Sequence, residues 1–203
     1  MSELLQIKAI PKTGLEKLSF DGQEISYSLL DFWKWSVSDI LSNATRGCLA
    51  EFIVGTAIGL NPNDLRNEWD AYDLNSKDNI KIEVKSAAYI QSWNQKDYSK
   101  ISFSIKKARF WDAESNMRQE KASRHADLYV FCLLKHLDQK TIDPLKLEQW
   151  EFYVVPTYQL DNYQRSQSSI TLNSLKKFST KIEYVELEKT IKLAYKKQIQ
   201  YLI

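Results

Sequence analysis

The strictest pattern in the sequence is the run Ile80-Lys-Ile-Glu-Val-Lys85, in which apolar and charged residues alternate without exception. Successive side chains of a β-strand point to opposite faces, so this period of two predicts a strand with one buried and one wet face. The turn-rich stretch Asn75–Asn79 precedes the run, and Trp69–Leu74 lies before the turn. Together the three segments predict a β-hairpin.

The apolar residues of the hairpin also predict how its strands pair. With Leu74 opposite Ile80 and Tyr72 opposite Ile82, the apolar side chains of both strands fall on one face. A slip of one residue would expose Leu74 and bury Asp73, which the pattern opposes. We therefore expect Asp73 on the charged face of the hairpin.

The charged face has the composition of a hydrolytic site. Asp73 shares it with Glu83 and Lys85, while Asp70 has the opposite parity and is the second choice for the acid. Carboxylate oxygens and a strand carbonyl, here that of Val84, form the partly open oxygen site that Mg²⁺ prefers. A lysine beside them can orient a water and offset charge that develops on a phosphate. This face predicts phosphodiester hydrolysis, and the alternative is an ordinary hairpin whose charges face solvent.

Helical and extended patterns fill the rest of the chain. Ser28 and Asp31 have the spacing of a capping box, which predicts that a helix begins there. Further helices are expected over Thr45–Ile58, Ser174–Phe178 and Leu187–Ile199, strands over Ile101–Ile105, Leu128–Leu134 and Trp150–Val155, and loop with helix over 106–125. The order predicts an α/β or α+β class, in which the hairpin and residues 101–105 form a three-strand meander within a mixed sheet.

Length and composition favour one globular domain. The 203 residues are 43% apolar and 27% charged, which excludes a disordered chain. We expect a single domain with its core at about 28–160, an N-terminal extension at 1–27 and a C-terminal helical extension at 168–203. No run of about 18 apolar residues and no secretory leader is present, which predicts a cytoplasmic protein. The two cysteines and two histidines show no metal-ligand spacing.

Charge is spread unevenly along the chain, although the net charge is only +2. Residues 1–80 hold seven Lys and Arg against twelve Asp and Glu, whereas residues 81–125 hold ten against five. Residues 174–203 hold seven against three. A basic middle and a basic tail predict a local positive surface for phosphates, with a solvated face as the alternative.

Two neighbouring segments resemble a known superfamily. Asp73, nine intervening residues and Glu83-Val84-Lys85 on an alternating strand resemble the PD-(D/E)XK nucleases, the superfamily of type II restriction endonucleases and related repair nucleases. Tyr72 stands where that superfamily has a proline, which is commonly missing. The preceding segment, Asn43–Gly55, is similar to the superfamily's N-terminal helix, and Glu51 matches the carboxylate that this helix often contributes.

The resemblance implies a restriction-endonuclease-like fold, with an αβββαβ core and here extra terminal helices. It implies Mg²⁺ as the cofactor, with Mn²⁺ able to substitute. Asp73 and Glu83 would then be metal ligands together with the Val84 carbonyl. Glu51 would assist the metal or orient the water, and Lys85 would be the catalytic base or an electrostatic stabiliser.

Three further residues are candidates for substrate contact. Gln91 matches a polar residue that lines the site shortly after the lysine in similar sequences. Arg46, near the start of the second helix, could hold a phosphate together with backbone amides, or form a salt bridge instead. Trp93 could stack on bases among nearby lysines, and ordinary packing is the alternative.

These features together predict a Mg²⁺-dependent deoxyribonuclease, of restriction type, that hydrolyses DNA phosphodiester bonds. A homodimer is expected, because two sites related by a twofold axis cut both strands of a duplex most simply. No membrane association is expected. The alternative is a catalytically silent DNA-binding or protein-interaction module with a nuclease-like fold.

Overall fold

The computed structural model describes residues 7–61, 63–66, 70–109, 111–112, 117–118 and 120–203. These residues form two compact units. The smaller unit takes in the described residues of 1–39 and 61–66, and the larger unit takes in those of 40–60 and 67–203. All the candidate site residues belong to the larger unit.

The smaller unit begins with a β-hairpin. Strands β1 (Lys17–Phe20) and β2 (Gln23–Ser28) pair antiparallel across Asp21 and Gly22, which both have positive φ angles. Positive φ at both central residues is the geometry of the tight turns that suit the twist of a hairpin. The residues of β1 are all exposed and those of β2 nearly so. No buried alternate face therefore marks these strands in the sequence, which explains why the hairpin is not predicted.

Helix α1 (Leu29–Val37) follows β2 directly. The Asp31 N–H donates to the Ser28 hydroxyl, and the Ser28 N–H donates to the Asp31 carboxylate at 2.8 Å. These reciprocal bonds satisfy backbone donors that the first turn of a helix leaves without partners. The predicted capping box is confirmed.

The larger unit combines a sheet with helices and short strands. In chain order its elements are α2 (Asn43–Ala57), β3 (Leu74–Asn75), β4 (Lys81–Ala88), β5 (Ser102–Ser104), β6 (Trp111–Asp112), β7 (Met117–Arg118), β8 (Leu128–Leu134), β9 (Trp150–Pro156), α3 (Thr157–Asp161), β10 (Ser169–Thr171), α4 (Leu172–Leu175) and α5 (Leu187–Leu202). Single 3₁₀ turns at Leu147–Gln149 and Tyr184–Glu186 precede β9 and α5. Among the described residues, no helix has both the length and the apolar character needed to cross a membrane.

Four strands form the main sheet, in the order β3-β4-β8-β9. Strands β4 and β8 are parallel, and the two outer pairs are antiparallel, so the predicted mixed sheet is confirmed. All seven residues of β8 are buried, as expected for a continuous apolar strand that is covered on both faces. Glu83 lies opposite Tyr129, and Lys85 lies opposite Phe131, across the β4–β8 pair.

Two apolar layers cover the sheet. On one face, α2 and α5 pack on a layer that includes Ile82 and Val84 of β4. On the other face, β5, β10, α3 and α4 pack on a layer that includes Phe131, whose ring meets the Phe103 ring edge-on at a centroid distance of 5.1 Å. Glu83 and Lys85 alternate with Ile82 and Val84, so they lie on this second face.

Two predictions about the strand order are wrong. Strand β5 is not the third strand of a meander with β3 and β4, because it pairs antiparallel with β10 in a separate ribbon. The helix expected within 106–125 is not found in the described part of that segment, which contains β6, β7 and a bridge between Ala108 and Ser123. Alternating apolar residues determine which face of a strand is buried, but they do not determine its partner.

Candidate active site

Asp73 is attached to β4 by two hydrogen bonds. Its N–H donates to the Ile82 carbonyl at 3.1 Å, and its carboxylate accepts the Val84 N–H at 2.7 Å. Leu74 lies opposite Ile82, two residues further along β4 than predicted. The predicted register is therefore wrong, and Tyr72, predicted on the same face as Leu74, packs against the opposite layer, because β3 begins only at Leu74. The two hydrogen bonds to β4 nonetheless bring Asp73 close enough for the charge of Glu83 to act on it.

Glu83 and Lys85 form an ion pair on the face of β4. The Lys85 Nζ lies 2.5 Å from Glu83 Oε1, and the two side chains are 29% and 20% exposed, respectively. Tyr129 and Phe131 flank them on β8. These two aromatic residues are missed by the sequence analysis, because only the pairing of β4 with β8 brings them to the site, and no local pattern encodes that pairing.

The electrostatics of Asp73 show how crowded the carboxylates are. Burial raises the pKa of Asp73, and the negative charges of Glu83 and Glu51 raise it further, to about 6. The Val84 N–H and the Lys85 ammonium lower that pKa, but they offset the rise only in part. Burial, followed by the charge of Glu83, also raises the pKa of the Tyr129 hydroxyl. Like charges held together in partly buried positions are a recurrent feature of functional sites.

Glu51 contributes to this field from helix α2. The helix packs on β4, and the Glu51 side chain is half-buried. Its negative charge acts on Asp73, but less strongly than that of Glu83 does. In the described part of the chain, no three His, Cys, Asp or Glu side chains are placed to hold one metal ion. The structure therefore brings Asp73, Glu83 and Lys85 together, with Glu51 acting from further away.

The donor set on this face fits a hard divalent cation. Asp73 and Glu83 supply carboxylate oxygens. The Val84 N–H points towards Asp73, and the N–H and carbonyl of one strand residue point to the same side, so the Val84 carbonyl is directed to that side as well. Mg²⁺ commonly takes one or two carboxylates and keeps several waters. A cation there would also neutralise the repulsion that raises the pKa of Asp73.

The sequence that forms this site matches a known protein family. The model of a family described as bacteriophage T4 endonuclease IV matches residues 22–174, which is more than half of the chain. The chain belongs to the bacteriophage T4 endonuclease IV family. The part of the chain that matches this endonuclease family contains Glu51, Asp73, Glu83 and Lys85. No curated protein matches the sequence.

Asp70, the second choice for the acid, lies in the same matched stretch of the endonuclease IV family. It is exposed in the bend that leads into β3, whereas Asp73 is half-buried and bonded to β4. Asp73 therefore remains the candidate ligand in this member of the endonuclease IV family.

Arg46 and Gln91 belong to one buried network in this endonuclease IV family chain. Arg46 is only 2% exposed. Its guanidinium donates to the Leu41 carbonyl at 2.7 Å and to the Gln91 side-chain oxygen at 3.1 Å. The Gln91 amide donates to the Ala88 carbonyl at 2.8 Å and to the Ser99 hydroxyl at 3.1 Å. These bonds join α2 to the segment after β4, so both residues brace that segment instead of presenting free groups to a phosphate.

Trp93 lies in the braced segment after β4 and is 52% exposed. Its ring is therefore accessible to a ligand, which is compatible with the predicted stacking on a base. Arg46 and Gln91, the other two candidates for substrate contact, differ from Trp93. Their side chains hold the segment that carries Trp93 in place.

Proposed function

We propose that this chain is a Mg²⁺-dependent endonuclease of restriction type that hydrolyses DNA phosphodiester bonds at Asp73, Glu83 and Lys85. The observation that carries the proposal is the convergence of the Asp73 carboxylate and the Glu83–Lys85 pair on one strand of a chain from an endonuclease family. DNA is the substrate that the family description and the basic segments of the chain favour.

Each residue would have a separate role. Asp73 and Glu83, with the Val84 carbonyl, would hold the cation. When bound, Mg²⁺ would polarise the phosphoryl oxygen and lower the pKa of the attacking water. Lys85, oriented by Glu83, would stabilise the negative charge that develops on the phosphate. Glu51 would orient the water from α2.

The proposed fold relationship is to the PD-(D/E)XK nucleases. It is supported by helix α2 with Glu51, by the short β3–β4 hairpin with Asp73, and by the E-x-K sequence on β4. The pairing of β5 with β10 departs from the proposed αβββαβ core, because it removes the third strand from the main sheet. The relationship therefore depends on the segment from α2 to β4 and on the mixed sheet around it.

Plasmid cleavage tests the proposal. With Mg²⁺ or Mn²⁺ the wild type should nick or linearise supercoiled DNA, and Lys85→Ala and Glu83→Gln should do so at least about 10²-fold more slowly. The matched control is the ion pair between Glu151 of β9 and the exposed Lys181, whose charged atoms lie 3.3 Å apart. Lys181→Ala should cleave at the wild-type rate. Equal activity in the Lys85→Ala and wild-type proteins would contradict the proposed roles, and activity in EDTA would contradict the metal.

We also propose that the active species is a homodimer, because two sites related by a twofold axis cut both strands of a duplex most simply. Light scattering after size-exclusion chromatography should give twice the mass of 23.8 kDa. A monomer that linearises plasmids in one binding event would contradict the dimer while leaving the chemistry at Lys85 intact.

A further inference from the structure

A groove of 480 Å³ lies where β4 and β8 end. One wall is the segment after β4, with Ile90, Gln95, Lys96, Asp97 and Tyr98, and the other is the segment after β8, with Leu137, Asp138, Gln139 and Lys140. The Tyr98 hydroxyl donates to the Leu137 carbonyl at 2.7 Å and so joins the two walls. The volume lies within the range of about 300–1,000 Å³ that small-molecule sites occupy.

The first wall is rigidly held. The Gln95 side-chain amide donates to the Tyr89 carbonyl at 3.2 Å and to the Ser99 hydroxyl at 3.0 Å, while its oxygen accepts the Gln91 N–H at 2.7 Å. Gln91 in turn accepts a bond from the buried Arg46. Preorganised walls lower the conformational entropy that the protein loses when a ligand binds. This network accounts for the buried polar residues at positions 46 and 91.

The second wall is held in the same way. Asp138 accepts the Lys140 N–H at 2.9 Å and the Thr141 hydroxyl at 3.0 Å. By contrast, the side chains of Lys96, Asp97, Gln139 and Lys140 make no hydrogen bond or ion pair with any residue that the structure describes. The groove therefore presents ammonium and amide donors together with carboxylate and amide acceptors.

The chemistry of the groove suits a base better than a phosphate. Lys96 and Lys140 are balanced by Asp97 and Asp138, so the lining has no net positive charge for a phosphate. Lys, Gln and Asp side chains are the groups that pair with the donors and acceptors on base edges. Tyr98 is 55% exposed and offers an aromatic ring to stack on.

The groove also lies within reach of the candidate active site. Lys85 is three residues before the end of β4, about 10 Å along the strand, and Ile90, the first residue of the groove wall, comes two residues after that end. The groove therefore lies beyond the same end of the strand that carries Lys85.

We propose that the groove of Lys96, Asp97, Tyr98, Gln139 and Lys140 holds one nucleobase of the DNA substrate, outside the cleaved bond, and reads its edge. The proposal rests on the proposed function, because it assigns base recognition to the same endonuclease. The base stacks on Tyr98, and the unpaired polar side chains of both walls contact its edge.

Sequencing the ends of genomic DNA cut to the same extent by wild type and variants tests the groove. The wild type should show a base preference at a fixed position relative to the cut. Asp97→Asn should change or remove that preference, because it replaces an acceptor by a donor. Tyr98→Leu should raise KM about tenfold, since it removes the stacking surface, whereas Tyr98→Phe, which keeps the ring and loses only the bond to Leu137, should raise it less. On DNA that contains the base preferred by each variant, kcat should stay within about twofold of the wild-type value.

The controls separate the groove from the chemistry. Lys189→Ala, an exposed lysine on α5, should leave the preference unchanged, and circular dichroism should confirm that every variant is folded. An unchanged base preference in Asp97→Asn and Tyr98→Leu, or a wild type with no base preference, would contradict base recognition in the groove. The proposed endonuclease activity would be unaffected by that result. A wild type that does not cut DNA would overturn both.

Discussion

Strands β4 and β8 lie side by side in the same sheet, but they carry different kinds of side chain. β8 is buried along its whole length and is apolar on both faces. β4 is apolar towards α2 and α5, but on its other face it carries Glu83 and Lys85 where β8 has Tyr129 and Phe131. Both strands are covered by the same two layers, so packing alone does not account for the charges on β4.

The difference indicates which part of the sheet is built for chemistry. A half-buried ion pair beside a carboxylate of raised pKa is unfavourable for folding unless a ligand compensates for it. Departures from the rules of packing are expected at functional sites. β8 therefore stabilises the fold, and β4 carries the proposed site at some cost in stability.

The largest expected effect on stability comes from β8. Phe131 is fully buried against Phe103, so Phe131→Ala should lower the free energy of unfolding by about 3–5 kcal/mol. Urea unfolding measures this value. A loss below about 1 kcal/mol would contradict the structural role assigned to β8.

Lys85 is paired with Phe131 across the sheet, and its removal should affect activity much more than stability. Lys85→Ala should lower the rate of DNA cleavage about 10²–10³-fold, as the loss of a charge-stabilising group does, equivalent to about 3–4 kcal/mol in the barrier. Its free energy of unfolding should change by less than about 1 kcal/mol, because the pair is partly solvated. Cleavage kinetics and urea unfolding, measured on the same preparation, test this difference between Lys85→Ala and Phe131→Ala. Equal losses of stability in the two variants would contradict it.

The pH dependence of stability sharpens the comparison further. Because the pKa of Asp73 is raised to about 6, the folded protein binds this proton more tightly than the unfolded chain does. Protonated Asp73 therefore stabilises the fold at acid pH, and this contribution is lost as the pH rises through about 6. In EDTA, Asp73→Asn should exceed the wild type in stability by about 3 kcal/mol at pH 8 and by little at pH 4. The same difference at both pH values would contradict the burial of a crowded carboxylate.

The smallest effect is expected at Glu51, which acts on Asp73 from α2. Glu51→Gln should lower the cleavage rate about tenfold, because the residue orients a water instead of holding the cation. Mn²⁺ affinity should fall less in this variant than in Glu83→Gln. Equal losses of affinity in the two variants would make Glu51 a ligand.

The sequence predicts the parts of this site that depend on local patterns. Alternation over 80–85 locates β4 and the faces of Glu83 and Lys85, and the continuous apolar run predicts β8 residue for residue. The Ser28 capping box predicts the start of α1. Each of these signals lies within a few neighbouring residues, so local stereochemistry is sufficient to interpret it.

Pairings between distant segments are not predictable in this way. The hydrophobic pattern excludes a register shift of one residue but not of two, so Leu74 meets Ile82 instead of Ile80. The partner of β5, which is β10, and the parallel partner of β4, which is β8, are each more than 40 residues away in the chain. Arg46 is predicted to hold a phosphate or to form a salt bridge, whereas its buried guanidinium donates to Leu41 and Gln91, and the Gln91 contact joins segments 45 residues apart.

The most direct measurement of the central claim is Mn²⁺ binding by isothermal titration calorimetry, without DNA. The account predicts that the wild type binds Mn²⁺ at a site that Asp73→Asn and Glu83→Gln each weaken at least about tenfold, whereas Glu151→Gln, the carboxylate of the control pair on β9, leaves it unchanged. Equal affinity in the wild type and in both site variants would show that the carboxylates beside β4 do not hold a cation.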